Sequence, residues 1–127
     1  MERLGPKACM KIGSVELDQH DIDLLFIIVD KQKHYRTKNG SLLNPLVVGD
    51  ETGTINLVVW DVKSELLLPG DVYRLRGGYT VAHEGRLTMH IGRKGSLQRI
   101  DEFTMTYNPS LDKYKSKYSR AMRRKLK

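Results

Sequence analysis

Cysteine is almost absent from this chain: Cys9 stands alone among 127 residues. That excludes an internal disulfide and any cysteine-rich zinc site, and it fits a protein that works inside the cell. Long hydrophobic runs are missing too. The longest, Leu24 to Val29, falls well short of the ~20 residues that cross a bilayer. No apolar segment follows the N-terminal charges, so neither a membrane span nor a secretion signal is expected. The four histidines, His20, His34, His83 and His90, are scattered without metal-ligand spacing. Gly77-Gly78 and Gly92 to Gly95 lack the pattern of a phosphate-cradling loop ahead of a helix. Asp50, Glu51 and Asp61 fall in turn segments with no evident base or nucleophile as partner. No catalytic residue, metal or cofactor is expected.

Acidic residues are scarce where basic ones are dense. Residues 111–127 hold eight Lys/Arg and one Asp, which equals the whole net charge of +7. Residues 1–110 carry 14 basic and 14 acidic side chains and balance to zero. Within that part, residues 12–30 have five acids and no Lys/Arg, whereas residues 72–99 have six Lys/Arg and one acid, Glu84. A basic face above a basic tail suits an anionic polymer as partner. Solubility alone is the alternative reading of this charge distribution.

What the chain does have is a succession of short alternating segments. Residues 1–14 read as a flexible arm and the acidic 12–21 stretch as a lead-in. Asp23 to Asp30 is apolar on both parities, which fits a central strand covered on both faces, running on with an exposed end through His34 to Thr37. Lys38-Asn39-Gly40 supplies a tight turn. Leu42 to Val48 is the second strand, with Pro45 marking an edge or bulge because it lacks an N–H. After the turn Asp50 to Gly53 comes the third, Thr54 to Trp60: Ile55, Leu57 and Val59 share one parity, and Asn56, Val58 and Trp60 the other. Val62 to Leu68 allows a short helical turn that Pro69 stops. The fourth strand, Val72 to Ala82, bends at Gly77-Gly78, and His83-Glu84-Gly85 turns into a fifth, in which Arg86, Thr88 and His90 oppose Leu87, Met89 and Ile91. Gly92 to Gly95 reads as a basic loop, and Leu97 to Met105 as packing back. From Ser110, Leu111, Tyr114, Tyr118, Met122 and Leu126 recur at helical spacing.

Five short strands in this order predict an all-β chain, a five-stranded Greek-key barrel of the OB type spanning residues 15–108. A basic C-terminal tail, 109–127, follows with a helical pattern. Trp60 lies on the parity opposite the aliphatic set, and Tyr79 follows the glycine bend. Aromatics on an outer strand face beside Arg36, Lys38, Arg93 and Lys94 describe a stacking platform for unpaired bases. His83 at a hairpin tip and His90 beside Arg86 and Thr88 are further candidates.

The ordered set VGDETGTINLVVWD, LLPGDVYRLRGGYT, EGRLTMHIGRKGSLQRI and DEFTMTY resembles the SOSS-B family, simple single-stranded-DNA-binding proteins of the SOSS complex with one OB fold. Small archaeal single-strand binders look similar around VGDETG and Trp60. The resemblance covers residues 15–107. It implies a nuclear role in DNA repair, homologous recombination and the damage response. It also implies partnership with a helical-repeat scaffold subunit shared with the Integrator complex and with a small third subunit. On this resemblance Trp60, Tyr79, His83 and His90 occupy base-stacking positions, Lys38 and Arg93 basic positions near the DNA path, and Glu102-Phe103 the pair that docks on the scaffold. The sequence departs from the family at both histidines, at Pro45 and at Gly77. Single-stranded RNA as the bound polymer, and an OB module that binds proteins instead, are the alternatives.

Overall fold

A computed structural model describes residues 9–100 and 107–109, and of Arg93 the backbone alone. Six strands are formed among them: β1 (Ile22–Lys31), β2 (Tyr35–Arg36), β3 (Leu42–Asp50), β4 (Gly53–Trp60), β5 (Val72–His83) and β6 (Arg86–Ile100). Five of them run β1-β5-β6-β4-β3 in space, and β3 pairs back onto β1 to close a barrel. All pairs are antiparallel except β4 with β6. The short β2 adds to the outer edge of β3.

Alternation sorts the side chains. On β1, Ile22, Leu24, Phe26 and Ile28 point into the core and the intervening residues are half-buried, so the strand is fully covered on one face and not on two. On β4, Ile55, Leu57 and Val59 are buried, as their parity predicts, and Leu87 and Met89 join them from β6. Burying each such side chain contributes about 1.5–3 kcal/mol. β1 ends at Lys31 and does not reach Thr37. Pro45 sits where β3 passes from pairing with β1 (Lys31↔Leu46) to pairing with β2 (Tyr35↔Leu43). Its carbonyl accepts from Gln32 N–H at 2.9 Å, and its ring nitrogen occupies the gap where no strand requires a donor.

The β4–β5 connection holds the expected turn as one 3-10 segment, Ser64–Leu66, and drops Leu67 into the core. The Tyr73 hydroxyl donates to Leu66 O at 2.7 Å and fixes this cover.

Two further expectations are corrected. Residues 9–14 are not part of a loose arm. Met10 bridges Leu24 on β1, and a 3-10 turn at Ile12–Ser14 sends Ile12 into the core together with Val15. The cause is Asp50 in the VGDETG turn. Its buried carboxylate accepts from Ile12 N–H (2.9 Å), Thr52 N–H (2.8 Å) and Thr52 Oγ1 (2.5 Å), while Thr52 Oγ1 accepts from Gly13 N–H at 2.7 Å. A buried carboxylate is tolerable when its lone pairs are filled in this way. The second correction concerns Gly92 to Gly95, which form no loop. β6 runs unbroken through them because they let two backbones cross closely: a Cβ on Gly92 would lie 2.7 Å from Gly77 O, and one on Gly95 2.6 Å from Arg76 O. The β5–β6 register shifts at that crossing, between Arg76 and Gly78. The 1–8 part of the arm, Glu102 and Phe103, the remainder of the Leu97–Met105 segment and the tail from Ser110 lie outside the described residues.

Candidate nucleic-acid interface

The outer face of β3, β4, β6 and β5 is organised in rows. Pro45, Val58, His90 and Tyr79 are successive partners across the four strands. Trp60 lies two residues beyond Val58 and so on the same face, 42% exposed, with Leu43 opposite it. With strands ~4.8 Å apart and a rise of ~3.4 Å per residue, the backbones of Trp60 and Tyr79 are roughly 12 Å apart. Bases standing on the two rings would share one strip of surface.

Tyr79 is the common member of two stacked contacts. Its ring lies 5.4 Å from the His90 ring, 19° from parallel, and 6.5 Å from the His20 ring, 22° from parallel. His20 was not foreseen. It arrives from the lead-in segment, which is pinned to β5: Gln19 N–H donates to Thr80 Oγ1 at 3.0 Å, Thr80 N–H donates to Gln19 O at 3.1 Å, and Thr80 Oγ1 donates to Glu16 O at 2.7 Å. His90 Nδ1 is buried without a hydrogen-bond partner among the described residues. Burial holds the His90 pKa below the ordinary histidine value, and the charge of His83 adds a smaller push in the same direction. His90 is therefore a neutral ring at pH 7, suited to stacking.

A groove of about 190 Å³ lies over the same face, lined by Tyr35, Pro45, Asn56, Val58, His83 and Arg86 among others. His83 stands at its end on the β5–β6 hairpin, where Glu84 (φ 53°) and Gly85 (φ 77°) make a left-handed pair. Its imidazole is 70% exposed, 3.8 Å from the Glu84 carboxylate. Tyr35, 53% exposed on β2, closes the opposite side. It too was missed, although an aromatic between Lys33-His34 and Arg36 is a legible signal.

The basic candidates are distributed around this face. Arg36 donates to Gly40 O at 2.8 Å and braces the turn that carries the exposed Lys38. Lys94 is exposed on β6 and borders a second pocket beside Tyr79. The Arg93 side chain lies outside the described part. The structure thus brings Trp60, His90 and Tyr79 onto one surface with His83 at its margin, and sets Arg36 and Lys38 at one end and Lys94 at another. Among the described residues no three His, Cys, Asp or Glu side chains converge to hold a metal ion.

No family model matches the chain. A single-stranded DNA binding protein, Ssb, from Saccharolobus solfataricus is 23% identical over 95 residues, which cover 72% of this chain and 64% of that protein. The chain thus spans somewhat less than two thirds of the length of that relative. A hypothetical protein from Arabidopsis thaliana superposes with a TM-score of 0.71 at 15% identity, covering 90% of this chain and 87% of the other. An OB domain from Thermoplasma acidophilum gives 0.63 at 17% identity, over 79% and 93%. The fold is an OB barrel. A further likeness is the second OB-fold domain of replication protein A from Methanococcus maripaludis, with a TM-score of 0.59 at 19% identity, over 76% and 98%. Counting barrel strands without β2, the groove sits over the second and third strands of this OB barrel, between the β1–β3 connection and the β5–β6 turn.

Proposed function

We propose that this OB barrel binds single-stranded DNA with little sequence preference, by stacking bases on its outer aromatic strip and by contacting phosphates from the surrounding Lys and Arg side chains. One observation carries the reading. The cross-strand register sets Trp60, His90 and Tyr79 on the same outward face, next to the groove where OB barrels take oligonucleotides. Stacking accepts any base, because every base has a π-face. The similarity to an archaeal single-stranded DNA binding protein points the same way.

The finer reading is that the protein serves as the DNA-binding component of a SOSS-like repair complex in the nucleus, with Glu102 and Phe103 docking on a helical-repeat scaffold and with a small third subunit present. Its support is the sequence resemblance. The test of the DNA-binding reading is a fluorescence-anisotropy titration of a labelled oligo-dT with wild type and Trp60→Ala. Trp60→Ala is expected to lose about 1–3 kcal/mol of binding. Matched RNA and duplex competitors are expected to displace the oligomer less well than single-stranded DNA. Equal displacement by RNA would favour an RNA binder, and no binding at all a protein-interaction module.

A further inference from the structure

A second pocket, about 220 Å³, lies at the far end of the ring stack, bordered by His20, Asp21, Tyr79 and Lys94 over the glycine crossing. A water's share of the liquid is about 30 Å³, so the space suits a ring-sized group. Its floor is bare backbone, because Gly77, Gly92 and Gly95 approach too closely for side chains. One wall is the Tyr79 ring, and Lys94 supplies a cation at the rim.

Asp21 is the anomaly. It is exposed at the end of the ring stack, on the border of the pocket that Lys94 also lines, and among the described residues no hydrogen bond or ion pair engages its carboxylate. It is nonetheless held firmly. Gln19 before it is hydrogen-bonded to Thr80, and Ile22 after it is paired with Gly78. Its backbone is left-handed, φ 53°, a conformation that Asp and Asn tolerate better than most residues. A fixed carboxylate repels phosphate. It offers acceptors only, so the part of a nucleotide it can favour is an edge that presents N–H donors.

We infer that this pocket reads one base of the bound strand through Asp21, and that guanine is the preferred base. The inference rests on the single-strand reading above and adds one position at which base identity counts. Guanine presents two adjacent donors, N1–H and N2–H, which match the two carboxylate oxygens. Cytosine N4 and adenine N6 present an amino group beside an acceptor. Thymine presents one N3–H between two carbonyls, which the carboxylate repels. Single strands expose these edges, whereas duplexes use them for pairing. Tyr79 and the glycine floor hold the base plane, and Lys94 faces the phosphate.

The test compares oligo-dT with the same oligomer carrying one central dG, dA or dC, using the full chain and anisotropy competition. A single dG avoids guanine self-association. The dG oligomer is expected to bind about five-fold or more tightly than all-dT, the lower end of a bidentate base contact, with dC and dA between. Asp21→Asn suits the left-handed backbone and is expected to erase that preference while leaving all-dT affinity equal or higher, which also reports that the variant is folded. Equal wild-type affinity for all four oligomers would overturn the inference and leave the stacking face standing. A dG preference that survives in Asp21→Asn would overturn it too. Failure to bind any oligomer would remove the underlying reading along with it.

Discussion

Replacing Tyr79 with Ala probes the ring stack and the interface together. The phenol contacts His90 at 5.4 Å and His20 at 6.5 Å. Aromatic pairs at such distances contribute about 0.5–1.5 kcal/mol each beyond area burial, so losing both costs roughly 1–3 kcal/mol of stability. A base stacked on this strip contributes another ~1–3 kcal/mol to binding, a factor of about five to 150. Tyr79→Phe keeps the ring, and the Tyr79 hydroxyl makes no hydrogen bond among the described residues, so its affinity is expected to stay near that of wild type. Urea unfolding measures the first loss and anisotropy with oligo-dT the second. A folded Tyr79→Ala that binds as tightly as wild type would place the ring outside the interface. A Phe variant as weak as the Ala variant would assign the effect to the hydroxyl and refute the stacking argument.

Asp50→Ala removes the acceptor that holds Ile12 and Thr52. Hydrogen bonds to a charged group contribute about 1.5–3 kcal/mol each, so urea unfolding is expected to show a loss of at least ~2 kcal/mol, and a loss under ~1 would contradict the anchoring role. For pH, the His90 pKa is depressed in the folded state by burial first and by His83 second. The unfolded chain therefore takes up this proton more readily, and stability that is fully present above the unfolded-state value of ~6.5 is lost as the pH falls from there through the lower folded-state pKa of His90. Melting temperatures of wild type are expected to drop more between about pH 7.5 and 5.5 than those of His90→Phe; parallel drops would contradict the shift. Glu102→Ala with Phe103→Ala is expected to abolish capture by a helical-repeat scaffold and to spare DNA binding, and loss of both in a pull-down and titration would make Phe103 a core residue.

Much of this fold is legible in local pattern. The parity of Ile55, Leu57 and Val59 against Trp60, the Asn39-Gly40 turn and the bend at Gly77 are each set by neighbours in sequence, and each appears where its residues place it. What was not legible depends on partners far along the chain. Ile12 is ordered by Asp50, 38 residues away, and Gly92 to Gly95 imitate a loop because close strand crossing and turning demand the same residue. The site divides in the same way. Trp60 is picked out by type and parity and Tyr79 by its place after the glycine bend, whereas His20 joins the stack because Thr80, distant in sequence, captures the segment that carries it.

Trp60 is the sole tryptophan, so one titration addresses the central claim, that this face takes bases from a single strand. Tryptophan emission is followed while oligo-dT is added to the full chain. Bases stacked on Trp60 are expected to change the emission saturably, most simply by quenching, and more strongly with single-stranded DNA than with duplex, whose bases are already stacked on one another. The change is expected to shrink in Tyr79→Ala at equal DNA. Emission that stays constant while anisotropy reports binding would put the DNA on another face of the barrel and contradict the account.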